Sequence, residues 1–295
     1  MSFKLKAPSK NWTTPNQDLD EVQFEQWRIL LEDRTGMQLT LARKSFLKTS
    51  LSMRMREIGC SDYQQYFELI HSGVNGTVEW YKLVDHLTVH ETRFFRDPSS
   101  FDLLKEFLLI QSARVKRDLS LWSVGCSTGE EPYSLAMLAQ ECNNLRGNEF
   151  SFSLTATDIS QPSLNSAQKG KYSQRKLSGL SERYKARYFN QKGEYLIAKD
   201  SLKKRMCFTR LNVLELNQSP IKKMDVIYCQ NMLVYFRKWR RKEIVTHLVD
   251  KLAPGGMLIL GTGELTDWSH PEMVRVPNDK TLAYLKSKIT NELEA

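Results

Sequence analysis

The stretch LSLWSVGCSTGEEPYS, residues 119–134, determines which fold this 295-residue chain is expected to adopt. Its apolar run, Leu119–Val124, has the length of a buried strand, and a helix is predicted to begin near Glu130. Between them, Gly125 and Gly129 are separated by small residues, which lets the backbone turn sharply and approach a ligand closely. The turn contains neither G-x-G-x-x-G nor G-x-x-x-x-G-K, so it is not typical of a dinucleotide or nucleotide-phosphate site.

Acidic residues around this turn indicate which ligand it suits. Glu130 and Glu131 stand where a dinucleotide site offers bare helix N–H groups to a pyrophosphate, and they would repel phosphate. They suit a cationic ligand without phosphate, such as S-adenosylmethionine. The alternative is that these acids only stabilise the N terminus of the helix through its dipole. Asp158 ends the next apolar run, where an acid can accept hydrogen bonds from ribose hydroxyls. The alternative for Asp158 is a helix cap.

The rest of the chain divides into segments of different pattern. Residues 1–15 are predicted to be a loose tail, 16–89 a helical domain with apolar residues at three-to-four spacing, and 90–99 a linker. From residue 100 to 290, short apolar runs alternate with helical segments, which is typical of an open, doubly wound α/β sheet. A basic stretch, about 168–205, is predicted to be an insertion into this second domain.

Composition excludes several classes of protein. The sequence contains no apolar run long enough to span a membrane and no secretory signal pattern, and its five cysteines form no C-x-x-C pair. No metal site is predicted from the five histidines. These observations favour a cytoplasmic protein. The net charge of +9 suggests an anionic partner, which in principle is nucleic acid, a membrane surface or an acidic protein.

Five motifs in the same order resemble the CheR-type chemoreceptor glutamate methyltransferases. They are TRFFRD (92–97), the turn at 125–134, ATDIS (156–160), DVIYCQNMLVYF (225–236) and GG followed by GTGE (255–264). The resemblance implies an α/β fold in which a small all-helical N-terminal domain precedes a Rossmann-like methyltransferase domain with a small inserted antiparallel β sub-domain. It also implies γ-glutamyl methyl ester formation on chemoreceptor helices, with S-adenosylmethionine as cofactor and S-adenosylhomocysteine as product. The sequence of residues 90–96 resembles that of the branch of the family that serves type IV pilus systems, the PilK-like enzymes.

The resemblance also implies roles for individual residues. Arg96 and Tyr235 match the catalytic residues of the family. The positions that match its cofactor site are His90, Thr92, Arg96, Gly125, Glu131, Asp158, Asn212, Val213, Gln230 and Asn231. Two of them depart from the family pattern, because His90 replaces the usual Asn and Gln230 replaces the usual Arg. The second change removes a fixed positive charge and a forked hydrogen-bond donor.

The predicted reaction suits the residues that are present. A glutamate side chain, with an unperturbed pKa of about 4.3, is already ionised at neutral pH and needs neither a general base nor a metal. The enzyme must then place the carboxylate in line with the methyl group and remove its water. A guanidinium such as that of Arg96 can hold one carboxylate oxygen while the other attacks. Tyr235 can donate one hydrogen bond or complete the pocket wall.

The positive charge is concentrated in two segments. Residues 165–210 contain 13 basic and three acidic side chains, and residues 34–56 contain six basic side chains and no acid. We therefore expect an acidic protein helix as partner, with contacts to Arg43, Lys44, Lys48, Arg54 and Arg56, and a monomeric enzyme that binds no nucleic acid. Two alternatives remain open at this stage. One is a nucleic-acid methyltransferase, but the proline that such enzymes commonly carry at this point of the sequence is missing after Asn231. The other is a non-catalytic cofactor-binding scaffold.

Overall fold

A computed structural model describes residues 18–114, 117–147 and 149–287. The predicted tail, residues 1–15, lies outside the described residues. The chain forms two compact units, which meet in sequence between Val89 and His90. Each unit has its own secondary structure and core. In the described residues, no helix is both long and apolar enough to cross a membrane.

Within residues 18–89, the first unit contains the α-helices α1 (Glu21–Thr35), α2 (Lys44–Ile58), α3 (Tyr63–Ile70) and α4 (Gly73–Leu87). Local sequence sets where α1 begins and ends. The Asp20 carboxylate accepts the N–H of Gln23 at 2.7 Å in a capping box, and Gly36 ends the helix in a left-handed conformation. The core contains large apolar side chains from the helices, among them Trp27, Leu47, Leu51, Met55, Tyr66 and Leu83.

A buried ion pair crosses this helical core. Arg54 is only 4% exposed, and its guanidinium donates to both oxygens of the Glu79 carboxylate, at 2.9 and 2.8 Å. The Tyr66 hydroxyl donates to the same carboxylate at 2.9 Å, and the exposed Glu57 contacts Arg54 from outside. The prediction that Arg54 contacts a partner protein is therefore wrong. A buried charge needs an internal counter-charge, and here that requirement occupies the side chain.

In the part of the second unit that the structure describes, the α-helices are α5 (Pro98–Arg114), α6 (Glu130–Leu145), α7 (Gln161–Lys169), α8 (Glu182–Tyr188), α9 (Asp200–Lys203) and α10 (Lys238–Asp250). Its strands are β1 (Leu119–Val124), β2 (Phe152–Asp158), β3 (Lys171–Ser173), β4 (Phe189–Lys192), β5 (Tyr195–Ala198), β6 (Met206–Arg210), β7 (Met224–Cys229), β8 (Leu252–Leu260), β9 (Met273–Arg275) and β10 (Leu282–Lys286).

Seven of these strands form the main sheet, in the order β6-β2-β1-β7-β8-β10-β9. The pairs among β6, β2, β1, β7 and β8 are parallel, and β10 pairs antiparallel with both β8 and β9. The central strands are buried along nearly their whole length, as expected when helices cover both faces of a sheet. The predicted α/β fold is therefore confirmed.

The basic insertion folds as a small antiparallel sheet in the order β3-β5-β4, which confirms the predicted β sub-domain. Aromatic rings attach this sub-domain to the rest of the unit. Phe94 packs edge-to-face on Tyr172 and Phe189, with ring centroids 5.0 and 5.9 Å apart. Phe95 contacts Tyr184 in the same geometry at 5.6 Å. The two phenylalanines of the 92–97 motif thus serve as packing residues that hold the segment carrying Arg96.

Removal of the Glu79 carboxylate should destabilise the helical unit strongly. In Glu79→Ala, the Arg54 guanidinium and the Tyr66 hydroxyl lose their buried partner, so we expect a loss of about 3–5 kcal/mol in the free energy of unfolding. The measurement is urea unfolding of the full chain followed by circular dichroism. Glu57→Ala is the matched control, because it removes an exposed acid from the same arginine and should cost about 1 kcal/mol or less. Equal losses in the two variants would contradict the assignment.

Candidate active site

Four parallel strands of the second unit end at one edge of the main sheet, and each is followed by a predicted functional residue or motif. The residues after β1, β2, β7 and β8 are respectively Gly125, Ile159, Gln230 and Gly261, with Asp158 as the last residue of β2. In open parallel sheets, ligands bind in the crevice at this carboxyl edge. The topology therefore gathers the motifs that lie far apart in the sequence.

The glycine turn after β1 is held against β2 by backbone hydrogen bonds. The N–H groups of Gly125 and Cys126 both donate to the Thr157 carbonyl, at 2.8 and 2.9 Å. Gly125 is in the left-handed region, and a Cβ atom there would lie 2.9 Å from Cγ of Met232. A side chain at this position would therefore push apart the turns that follow β1 and β7. The sequence prediction of a tight turn with close backbone approach agrees with this geometry.

Asp158 connects the glycine turn to the start of α7. One carboxylate oxygen accepts the Ser127 N–H at 2.8 Å, and the other accepts the Ser160 N–H at 2.9 Å. Burial raises the pKa of Asp158, while these backbone hydrogen bonds and the nearby His90 oppose the rise. Each oxygen keeps a second lone pair, so the side chain can still accept hydroxyl hydrogen bonds from a ligand. Structural support and ligand binding are thus compatible at this residue.

The two acids that begin α6 have different environments. The Glu131 carboxylate accepts a hydrogen bond from the Ser123 hydroxyl at 2.6 Å. Burial raises the pKa of Glu131 to about 8. The nearby acids Glu264 and Asp158 add to this rise, and Arg96 opposes it. Glu130, in contrast, is fully buried and binds Lys176 of the insertion at 2.7 Å. The expectation that both acids face a cationic ligand is wrong, because the Lys176 ion pair occupies Glu130.

The segment from His90 to Arg96 lies beside this turn. Nδ1 of His90 is 3.0 Å from the Ser163 hydroxyl at the start of α7. The electrostatic effect of His90 lowers the pKa of the Asp158 carboxyl. The Phe95 N–H donates to the Ser134 hydroxyl of α6 at 3.0 Å. The Arg96 guanidinium donates to the Glu91 carbonyl at 2.9 Å. Its positive charge lowers the pKa of Glu131. Thr92, also on this segment, is half-buried.

Gln230, directly after β7, is buried and hydrogen-bonded to other protein groups. It is 5% exposed, and its amide group donates to the Asp97 carboxylate at 3.1 Å and to the Leu260 carbonyl at 3.2 Å. Its amide oxygen accepts the Tyr228 hydroxyl at 2.9 Å. These protein contacts occupy both ends of the amide. Gln230 therefore joins β7 and β8 to the start of α5, and its assignment to the cofactor site stays a prediction.

Glu264 fixes the loops that follow β7 and β8, a role that the sequence did not reveal. The buried carboxylate accepts the N–H groups of Asn231 and Gly261 at 2.9 Å and that of Val234 at 3.2 Å. Burial raises its pKa, and these hydrogen bonds oppose the rise. Asn231 is held in the left-handed region with its side chain exposed. The GTGE motif was the available signal, but its four letters do not show which N–H groups the acid binds.

The remaining predicted residues of this unit lie on the loops around the same edge. Tyr235 ends the 3-10 turn Leu233–Tyr235, where it is half-buried against the core formed by β7, β8 and α10. Asn212 follows β6 closely, and its side-chain oxygen accepts the Leu214 N–H at 3.1 Å. Val213 is half-buried next to it. The Leu211 N–H donates to the Asp158 carbonyl at 3.0 Å, which attaches this loop to the end of β2.

The predicted partner-binding residues lie in the first unit. Arg56 is exposed, Lys48 pairs with Asp18 at 2.7 Å, and Arg43 and Lys44 are half-buried near the rings of Phe46 and Phe24. With Arg54 excluded, four basic residues of α2 and the turn before it remain candidates.

The side chains at the carboxyl edge fit S-adenosylmethionine. Asp158 offers carboxylate oxygens to ribose hydroxyls, and Glu131 offers a carboxylate to a cation. The Ser127 hydroxyl of the glycine turn is buried and has no hydrogen-bond partner within the described ranges. An unpartnered buried hydroxyl is costly, and a polar ligand in the turn would satisfy it.

Comparison with known families agrees with this interpretation. Residues 23–88 match the family described as CheR methyltransferase, all-alpha domain, and residues 90–282 match CheR methyltransferase, SAM binding domain. This chain belongs to the CheR methyltransferase family. The predicted cofactor, S-adenosylmethionine, and the predicted methyltransferase activity are thereby confirmed.

Individual relatives match over most of their length. The chain is 30% identical to chemotaxis protein methyltransferase Cher2 of Pseudomonas putida, over 86% of this chain and 94% of that protein. It is 32% identical to chemotaxis protein methyltransferase 1 of Vibrio cholerae, over 87% and 94%, and 30% identical to the chemotaxis protein methyltransferase of Escherichia coli, over 86% and 87%. The similarity therefore extends across both units.

Cofactor binding should release a proton through Glu131. With a pKa of about 8, this carboxyl is mostly protonated at pH 7 in the free protein, and a cationic ligand favours its ionised form. Affinity for S-adenosylmethionine should therefore rise from pH 6 to 8 and level off above that. Isothermal titration calorimetry in buffers of different ionisation enthalpy measures the released proton. Glu131→Gln should bind more weakly and lose the Glu131 share of the proton release. An unchanged proton release in that variant would contradict the role of Glu131.

Proposed function

We propose that this protein is a protein-glutamate O-methyltransferase that transfers the methyl group of S-adenosylmethionine to glutamate side chains of chemoreceptors in a chemosensory adaptation pathway. The observation that carries the proposal is the match of residues 90–282 to the CheR cofactor-binding domain, on a unit whose sheet edge combines Asp158, Glu131 and Arg96. The relatives named above are chemotaxis protein methyltransferases, which supports receptors as the substrate class.

The chemistry assigned to the chain consists of positioning and charge compensation. S-adenosylmethionine, when bound, supplies an activated methyl group on its sulfonium. The substrate glutamate is already a carboxylate at neutral pH, so no side chain has to remove a proton from it. Arg96 binds one oxygen of the substrate carboxylate through a charge-assisted hydrogen bond and orients the other toward the methyl group. Tyr235 completes the wall on the opposite loop and donates a hydrogen bond.

Arg96 also has an electrostatic function. A substrate carboxylate that enters this edge of the sheet meets Glu131, Asp158 and Glu264, and the last two already repel the charged form of Glu131. Repulsion between acids in a site of low dielectric disfavours a further anion. A fixed cation offsets that repulsion, and arginine stays protonated at every relevant pH. We therefore assign Arg96 to both binding and orientation of the substrate.

Further features of the proposal concern the partner and the place of action. We propose that the partner is a glutamate-rich cytoplasmic helix of a methyl-accepting receptor, that it binds basic residues of the helical unit and the insertion, and that the enzyme acts in the cytoplasm as a monomer. Among described residues the five cysteines have no disulfide, which is compatible with a reducing compartment. Assignment to a pilus rather than a flagellar pathway stays a prediction.

The experiment that tests this function is transfer of labelled methyl groups to purified receptor fragments. The full chain, S-adenosylmethionine labelled in the methyl group and candidate receptor cytoplasmic fragments are incubated together. Label should appear on glutamate residues and be released as methanol in mild base, because esters hydrolyse there. Label that resists base, or label that enters only RNA or DNA in the same assay, would overturn the proposal.

Arg96→Ala should lower kcat/KM for receptor methylation by about 10- to 100-fold, because a hydrogen bond between charged groups contributes about 1.5–3 kcal/mol. Cofactor affinity is measured separately by calorimetry. The matched control is Arg114→Ala, an exposed arginine at the end of α5, which should retain full activity. Full activity of Arg96→Ala would remove the assignment of this residue to substrate binding.

A further inference from the structure

Two large apolar side chains are exposed next to Tyr235 in the sequence. Val234, which directly precedes Tyr235, is 50% exposed, and Trp239, in the first turn of α10, is 58% exposed. Exposure of a tryptophan over most of its surface is unusual for a soluble protein, and tryptophan is enriched at the centre of protein–protein interfaces. Neither side chain has a role in the proposed binding of the cofactor or in the proposed reaction.

Basic residues flank Trp239 in the sequence. The segment from Arg237 to Glu243 contains five basic side chains and one acid. Lys238 is exposed, and the Arg240 guanidinium lies over the Trp239 ring at 4.2 Å from its centroid. We use the term Trp239 surface for Val234, Arg237, Lys238, Trp239 and Arg240. It combines an apolar contact area with positive charge, which matches an amphipathic partner that carries acids beside its apolar face.

The Trp239 surface is attached rigidly to the candidate active site. Arg241, one turn into α10, donates to the carbonyls of Phe236 at 2.8 Å, Glu264 at 3.1 Å and Val234 at 3.2 Å. The Val234 N–H in turn donates to the Glu264 carboxylate, which also holds Asn231. Arg240 is fixed by Glu243 at 2.6 Å. Little loop entropy remains to be lost when a partner binds here, which favours affinity.

We propose that the Trp239 surface docks the glutamate-bearing helix of the protein substrate, with Trp239 against the apolar face of that helix and Lys238 and Arg237 near its acids. This inference deepens the proposed function and rests on it, because it identifies a substrate-recognition surface on the methyltransferase unit itself. The basic residues of the helical unit and of the insertion are separate from it in sequence. Their contribution does not account for the exposed tryptophan.

An acidic helix fits this surface better than a nucleic acid does. Both partners are anionic, and single-stranded nucleic acids also stack on aromatic rings. Here, however, the Arg240 guanidinium already covers one face of the Trp239 ring, and the exposed aliphatic Val234 is held to the first turn of α10 by the hydrogen bond from Arg241 to its carbonyl. Base stacking on proteins relies mainly on aromatic rings, whereas an aliphatic side chain such as that of Val234 packs well against leucine or alanine of a helix. Val234 also directly precedes Tyr235, which is proposed to donate a hydrogen bond in the active site.

The test compares receptor methylation by single variants of the full enzyme. Trp239→Ala should raise the KM for the receptor fragment about 10-fold, with kcat and cofactor affinity nearly unchanged, and Trp239→Phe should recover most of the loss. Lys238→Glu should raise the KM several-fold at low salt, and this effect should shrink as salt increases, because the charge lies at the rim.

Two matched controls are available in the same unit. Lys222→Glu reverses an exposed charge just before β7, at the opposite end of that strand from Tyr235, and should leave the KM unchanged. Val274→Ala truncates a side chain of β9 that is 61% exposed, so it controls for loss of exposed apolar area. Folding of every variant is checked by its thermal unfolding midpoint.

The outcomes separate this proposal from the general function. Receptor methylation by the unaltered enzyme tests the proposed function by itself, and its failure would overturn both. If the unaltered enzyme is active but Trp239→Ala and Lys238→Glu keep its KM, the Trp239 surface is not the docking site and the proposed function stands. An equal KM increase in the two control variants would also overturn the docking assignment. So would salt-sensitive RNA binding that Trp239→Ala abolishes while receptor methylation persists.

Discussion

The hydrogen bonds that Asp158 accepts from Ser127 and Ser160 hold together the edge of the sheet on which the rest of the site depends. They fix the end of β2 to the glycine turn after β1 on one side and to the start of α7 on the other. The Thr157 carbonyl accepts two further hydrogen bonds, from the N–H groups of Gly125 and Cys126 in the same turn. Because these contacts exist in the free protein, the carboxylate is oriented before any ligand arrives. Preorganised polar groups of this kind bind a ligand without paying for reorganisation.

A second buried carboxylate performs the same task on the other half of the edge. Glu264 gathers the backbone N–H groups of the loops after β7 and β8, and Arg241 attaches the same loops to α10. The site is therefore built from acids that backbone hydrogen bonds stabilise. Such a site suits a cationic cofactor, but it repels an acidic substrate. Arg96 on the linker, together with the cations of the Trp239 surface, supplies the compensating charge in the proposed reaction.

Sequence reasoning identified the features that depend on residues close together in the chain. The strand before Gly125, the turn and Asp158 all follow from local pattern, and the α/β fold follows from the alternation of short apolar runs with helical segments. The antiparallel strand β10 was not identified from the sequence. Its short apolar pattern is ambiguous, and only its pairing with β8 and β9 defines it.

Features that depend on distant partners were not predictable in the same way. Arg54 belongs to a run of cations, but Glu79, 25 residues further on, draws it into the core. Glu130 binds Lys176, 46 residues away, and Gln230 binds Asp97, 133 residues away. Residue type indicates charge and hydrogen-bonding capacity, whereas burial decides whether an internal partner already uses that capacity.

In the proposed arrangement, the carboxyl edge of the main sheet binds S-adenosylmethionine between Asp158 and Glu131, with Arg96 facing the transferred group. The most direct test is a crystal structure of the full chain with S-adenosylhomocysteine. The ribose hydroxyls should lie within about 3 Å of the Asp158 carboxylate, and the Arg96 guanidinium should face the thioether side of the ligand. A ligand bound elsewhere, or one whose ribose has no contact with Asp158, would contradict this arrangement.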